Sequence, residues 1–260
     1  MKYFLAYALL ITTQFVSAQF LDNFTDAEFT TNPTWTGDDS VFTVVDIGGN
    51  QLLRSNKLIP SSSFYLSTPS ALAQDGQWEF FVNLQFSTSG SNYVDIYLTA
   101  DQANLLNPSI NGYFVRVGGT LDEVSLFKKV SGTATKIIDG TDATLNSSNN
   151  SLKIKVTRTA TNDWKLERDP SATGVSYIQE GLVTDATITT SSYFGVSVTQ
   201  STASFFQKHF FDDFYVGPII YDLEAPILVS ASAINSLQVD VLFNEALDPI
   251  SASLISNYII

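Results

Sequence analysis

The sequence predicts an all-β protein, an antiparallel two-sheet β-sandwich followed by a shorter second β unit. Three observations carry that expectation. Apolar residues recur at every second position rather than every third or fourth. Turn-rich segments break the runs at short intervals. The apolar stock is 19 Phe, 11 Tyr and abundant Val, Ile and Leu, residues that suit a pleated, half-buried surface.

Gln77–Phe86 shows the alternation most clearly. Trp78, Phe80, Val82, Leu84 and Phe86 share one face, and Gln77, Glu79, Asn83 and Gln85 share the other, with Phe81 the exception. Leu152–Val156 alternates equally well, its two lysines outward. Shorter strands are expected at Val41–Asp46, Tyr93–Leu98, Gly112–Val117, Val124–Lys128, Trp164–Arg168, Val175–Ile178, Phe194–Val198 and Phe210–Val216. Ser87–Asn92 and Asn146–Ser151 read as turns. One short helical turn is expected near Asp101–Leu106, ended by Asn107-Pro108. The pattern pauses at Gly217-Pro218, and residues 219–226 read as a linker. A strand pair then follows, Ile227–Ala233 and Leu237–Phe243.

Residues 1–18 have the three parts of an export signal: Lys2, an apolar run from Phe4 to Ile11, and small residues at Val16-Ser17-Ala18 that predict cleavage before Gln19. Polar Thr12, Thr13 and Gln14 interrupt the run well short of the roughly 20 apolar residues that span a bilayer. No later stretch is long enough to cross one, so the mature chain is expected to lack a transmembrane segment and to be extracellular or on an outer-membrane surface. With no cysteine after the cleavage point, a lipid-anchored lipoprotein is excluded, and so are disulfide staples. Stability must come from a core, which about 240 residues can supply. Losing Lys2 leaves 12 of the 13 basic residues against 26 acidic ones, a surface that repels phosphate backbones and excludes nucleic acid as the expected partner.

Two resemblances add to this reading. Residues 19–218 contain Phe20–Asp26, Asn32–Gly37, Gly112–Gly118 and the closing strand Phe211–Val216. Together these resemble the concanavalin A-like (lectin/glucanase, laminin-G-like) jelly roll. Residues 227–260, entered through Glu224-Ala225-Pro226-Ile227, carry Phe243–Pro249 and Asn257–Ile260. They resemble the immunoglobulin-like domain of bacterial surface-layer proteins, with Ala246 where that family usually has Pro. An immunoglobulin-like sandwich needs about 100 residues, so this unit is expected to be the amino-terminal part of one. The arrangement is similar to large lamin-tail-domain-containing exported proteins of gliding Gram-negative bacteria. That likeness implies spacing or adhesion, with any sorting domain beyond Ile260.

The jelly-roll resemblance raises glycoside hydrolysis, which needs two carboxylates flanking the scissile bond. The Glu-x-Asp-x-Glu run of the glucanase branch is absent, and Asp122-Glu123 and Asp212-Asp213 are each adjacent, which on a regular strand sends them to opposite faces. His209 is the only histidine, which leaves a Ser-His-Asp triad or a zinc site little to draw on. No catalytic residue is therefore assigned and no cofactor is required; a polysaccharide-acting enzyme, with its catalytic residues here or beyond Ile260, is the alternative. A structural calcium is the one metal considered. Pairing of the first and last strands would bring Asp22 and Asp26 towards Asp212 and Asp213, an oxygen-rich set of the kind calcium takes, or these acids simply solvate strand ends. For a ligand, Tyr93, Asp95 and Tyr97 share one strand face and form a candidate platform for an extracellular glycan or a surface protein. Tyrosines are also ordinary strand residues, while Trp35, Trp78 and Trp164 read as core. The leading expectation is a non-catalytic binding or structural module.

Overall fold

The computed structural model describes residues 19–221, 223–245, 247 and 252–257. The expected export signal, Asp222, part of the expected Phe243–Pro249 turn and Tyr258–Ile260 lie outside them. The chain divides into two compact units, Met1–Ile219 and Ile220–Ile260.

The described strands run as β1 Phe20–Asp22, β2 Thr36–Gly37, β3 Phe42–Ile47, β4 Asn50–Ser55, β5 Ser62–Pro69 and β6 Gly76–Leu84. They continue as β7 Tyr93–Ala100, β8 Gly112–Gly118, β9 Glu123–Val130, β10 Thr133–Ile138, β11 Asn150–Arg158 and β12 Asp163–Asp169. The first unit closes with β13 Ile178–Thr184, β14 Tyr193–Gln200 and β15 His209–Gly217; β16 Leu228–Asn235 and β17 Gln238–Phe243 belong to the second.

Two antiparallel sheets build the first unit. One has the order β13-β12-β11-β6-β15-β4-β3, with β1 added along β15; the other runs β10-β9-β8-β7-β14-β5-β2. Period-two alternation explains the layer between them, because one face of each strand must leave water. Trp78, Phe80, Val82 and Leu84 of β6 and Val94, Ile96 and Leu98 of β7 are fully buried in one apolar cluster. Phe214 is central to it, its ring centroid 5.3 Å from that of Trp35, 5.5 Å from Phe194, 6.0 Å from Phe24 and 6.2 Å from Phe80. All three tryptophans are core residues.

Two local expectations are corrected. Asp101–Leu106 forms turns and bends, because Asn104 competes for the backbone: its Oδ1 accepts from Leu106 N–H at 3.0 Å and its carbonyl from Asn107 N–H at 3.0 Å. Val175–Tyr177 is loop, with β13 beginning only at Ile178. There the Asp169 carboxylate gathers the N–H groups of Ser171 (2.8 Å) and Gly174 (2.7 Å) and curls the segment away from extended pairing.

In the second unit β16 and β17 form an antiparallel hairpin. Its open end is tied by Asn244, whose Oδ1 and N–H bond Ile227 N–H (2.7 Å) and C=O (3.0 Å). Every residue of β16 is exposed.

Candidate functional site

The four acidic residues assigned to calcium do not converge: Asp22 and Asp212 fall on opposite faces of their sheet, and Asp26 lies in the turn after β1. β1 does pair with β15, but the register sets Asp22 opposite Phe214, so Asp22 turns into the core. Its Oδ2 accepts from Trp35 Nε1 at 2.7 Å and its Oδ1 from Phe24 N–H at 3.0 Å. On β15 the register against β6 slips between Asp212 and Tyr215. Asp213, at φ 50°, is the extra residue of this bulge. Asp212 lies opposite Phe81, itself opposite Lys153, on the outer face. There Asp212 Oδ2 accepts from Asn50 Nδ2 (2.8 Å) and Asp213 pairs with Lys153 (2.9 Å). Asp26 stays exposed and accepts from Glu28 N–H. Among the described residues no three His, Cys, Asp or Glu side chains gather closely enough to hold a metal ion. Asp22 and Asp212 do share one property: burial raises each carboxyl to a pKa of about 6, against hydrogen bonds that lower it. The donor set therefore does not fit calcium, and a chelator is expected to leave the thermal midpoint unmoved; a drop of several degrees on adding EDTA would locate a metal elsewhere.

The outer face of the seven-stranded sheet is different, because the ladders set aromatic and polar side chains in rows across it. One row holds Ser63, Thr199, Tyr93, Gly118 and Glu123; the next holds Tyr65, Ser197, Asp95, Arg116 and Ser125. In the third, Tyr97 lies beside Phe114 and Phe127. The three predicted platform residues thus come out on one outer face, but at different depths. Tyr97 is only 2% exposed, covered with Phe114 by Leu105 and Ile110 from the β7–β8 loop. Gly195 makes room for that loop, since a Cβ there would stand 2.7 Å from Leu105 Cδ1. Burial raises the Tyr97 phenol well above its ordinary value, and Lys129 Nζ donates to its oxygen at 3.3 Å.

Asp95 is 9% exposed and held in a two-pronged ion pair, Arg116 Nε to Oδ1 at 2.7 Å and Nη2 to Oδ2 at 2.8 Å. Burial nevertheless keeps its carboxyl above the ordinary value. The same guanidinium lies 4.1 Å from the Tyr93 ring centroid and 5.2 Å from that of Phe127. Tyr93 alone of the three stays partly at the surface. Sequence reasoning missed Arg116, which was read only as part of a strand, because nothing in the local pattern says that β8 runs beside β7 with Arg116 opposite Asp95.

Other carboxylates of the first unit are likewise paired. Glu123 and Asp139 both accept from Lys136, and Asp185 accepts from Lys128 at 2.6 Å and from Tyr113 at 2.5 Å.

No protein-family model matches the sequence, and no curated protein matches it. Solved structures do match in shape. The exoplasmic/lumenal domain of VIP36 in its Ca2+/Man3GlcNAc-bound form superposes with a TM-score of 0.52 at 12% identity, over 76% of this chain and 89% of that one. The fold is that of a lectin-like jelly roll. The carbohydrate recognition domain of Emp47p gives a TM-score of 0.51 at 12% identity, over 78% and 95%. A legume lectin-like domain from Entamoeba histolytica gives 0.51 at 9%, over 74% and 92%. Among the described residues no helix is long and apolar enough to cross a membrane.

Proposed function

We infer that the first unit is a non-catalytic glycan-binding module, and that its ligand lies across the outer face of the seven-stranded sheet at Tyr93. The observation that carries this is the Tyr93–Arg116–Asp95 stack. Asp95 fixes two guanidinium nitrogens, the guanidinium lies over the tyrosine ring, and Arg116 Nη1 takes no part in the pair with Asp95. A rigid, partly exposed ring beside an oriented donor suits a sugar, whose apolar face packs on aromatic carbon while its hydroxyls take directional hydrogen bonds. The shared fold with the VIP36 and Emp47p domains supports the same class of ligand. Commitment of Asp95, Glu123, Asp139 and Asp185 to basic or phenolic partners supports binding rather than acid–base work.

The wider setting belongs to the same reading: residues 1–18 direct export, 19–218 bind, 219–226 link, and 227–260 begin an immunoglobulin-like spacer of a larger surface protein. The test is a glycan array of the mature chain, followed by calorimetry on any hit. Tyr93→Ala is expected to weaken binding about tenfold or more, about 1.4 kcal/mol, with little change in unfolding midpoint. A blank array, or a hit that Tyr93→Ala leaves intact, would falsify the proposal.

A further inference from the structure

Where β11 begins and β12 ends, the mouth of the sandwich holds a small pocket of about 160 Å³. β11 contributes Asn150 and Leu152 to it, and β12 contributes Arg168 with the following Pro170. Asn150, Leu152 and Arg168 share the inward face, since the cross-strand partner of Arg168 is Ile154, a core residue. The 144–149 loop forms the opposite wall. That loop is braced: Leu145 N–H donates to the Asp122 carbonyl at 2.8 Å, and the Leu145 carbonyl accepts from Thr88 N–H at 3.2 Å.

Two side chains of the pocket carry unspent hydrogen-bonding groups. Arg168 is 8% exposed, and its Nε donates to Glu180 Oε1 at 2.6 Å. In the planar fork, Nη1 lies on the edge away from the Nε–H. With Glu180 on the β13 side, Nη1 faces the β11 side, where the pocket lies. Asn150 is 6% exposed, and its Nδ2 donates to the carbonyls of Phe86 (2.7 Å) and Ser147 (2.8 Å). Two carbonyl acceptors fix which way this amide points and leave its Oδ1 as an acceptor. That oxygen and the two Arg168 Nη atoms have no partner among the described residues, yet none is sealed from solvent. In residues so deeply buried, their way to water is the pocket that both line.

We propose that this pocket seats an acetamido group, the N-acetyl substituent of an amino sugar. A secondary amide is acceptor and donor in one neutral plane. Its carbonyl would take the Arg168 fork, its N–H the Asn150 oxygen, and its methyl the apolar contact of Leu145 and Leu152, both core residues. An anion fits less well, because Glu180 already balances Arg168 and the protein's net charge is −13. The volume suits a substituent and not a whole disaccharide. That a sugar carries the amide rests on the glycan-binding reading. The pocket adds to that reading a second contact, apart from the Tyr93 face, and the class of sugar.

The experiment titrates the 19–260 chain, amide resonances recorded, with methyl glycosides of N-acetylglucosamine and N-acetylgalactosamine. Glucose and galactose glycosides, which lack the acetamido group, and glucuronic acid serve as comparisons. At least one N-acetylated glycoside is expected to shift the backbone amides of Ser147, Asn149 and Ser151 and the Asn150 side-chain amide. The three comparison sugars are expected to shift none of them. Arg168→Lys, which keeps the charge beside Glu180 and removes the fork, is expected to weaken the effect about tenfold or more. Ser147→Trp, on the exposed loop, is expected to fill the pocket and abolish it, and tests the site even if Arg168→Lys loosens the fold. Absence of pocket shifts, equal shifts with glucose or galactose, or shifts that Ser147→Trp leaves unchanged overturns the proposal. Tyr93→Ala separates the two readings. Pocket shifts that survive in it while oligosaccharide affinity falls support both; loss of oligosaccharide affinity without any pocket shifts leaves the Tyr93 face standing and removes the pocket alone.

Discussion

Replacing Arg158 by Ala is expected to destabilise the first unit by about 3–5 kcal/mol, more than most single substitutions. Arg158 is fully buried, on the inward face of β11 at its carboxyl end. Its Nη1 donates to the carbonyls of Ala73 (2.5 Å) and Ile188 (2.9 Å), and its Nη2 to Asn162 Oδ1 (2.8 Å) and the Asp185 carbonyl (3.2 Å). One guanidinium thus ties the β5–β6 loop, the β11–β12 turn and the segment after β13. It also lies 4.7 Å from the Trp164 ring centroid and 5.2 Å from that of Tyr113. Truncation leaves at least two carbonyls without their donor, at about 1–3 kcal/mol each, and opens a cavity against the Trp164 and Tyr113 rings. The Asp185 carbonyl keeps Trp164 Nε1 at 3.0 Å, so it adds little. Arg158→Lys is expected to recover only part, since a point charge cannot reproduce the fork. Urea midpoints measure both; a loss below about 1 kcal/mol for the alanine variant would show that the three loops are held by other means.

Arg158 also marks how far the sequence can be read. Long strands with clean alternation, such as β6 and β11, were visible because burial on one face leaves a period of two. Strands β4 and β5 were not. Asn50–Ser55 buries Leu52 and Leu53 in succession, and Ser62–Pro69 is rich in hydroxyls because part of it lines the polar end of the sandwich. The faces of Asp22, Asp212 and Asp213 depended on a bulge that only the ladder register reveals. Tyr93, Asp95 and Tyr97 were correctly grouped on one face by parity. Their depths, and the arginine between them, follow from β8 and the β7–β8 loop, which are distant choices of topology.

Acid unfolding is expected to be delayed to below about pH 4, because buried groups of opposite sense offset one another above it. His209 is fully buried, with Nδ1 2.9 Å from Ser55 Oγ, its ring centroid 4.9 Å from that of Phe86, and no partner for Nε2. Burial lowers its pKa to about 3. The unfolded chain therefore binds a proton below about pH 6.5 that the folded chain refuses, and stability falls with pH by about 1.4 kcal/mol per unit. Asp22 and Asp212, raised to about 6, act the other way: between about pH 6 and 4 the folded state binds their protons first, so acidification stabilises it. Asp22 and Asp212 together outweigh His209 by about 2 kcal/mol on going from pH 6.5 to 4, and Asp95, whose carboxyl burial also raises, adds in the same sense. Below that range both carboxyls are protonated in either state, and the opposing pull ends. Burial works to raise Asp169 and Asp185, yet hydrogen bonds hold both far below the ordinary carboxylate range. Ser171 and Gly174 supply them to the first, and Lys128, Tyr113 and Thr187 to the second. Their stabilisation is present above about pH 4 and is lost beneath it together with the remaining His209 limb, so the fall should be steep. His209→Phe isolates one contribution. It forfeits the Ser55 contact, about 1 kcal/mol at pH 7, but removes the histidine limb, so relative to the native chain it should improve by about 3 kcal/mol between pH 7 and 4. Urea midpoints across that range decide the matter: a difference between the two proteins that stays constant with pH would mean that His209 takes up its proton equally in the folded and unfolded chain.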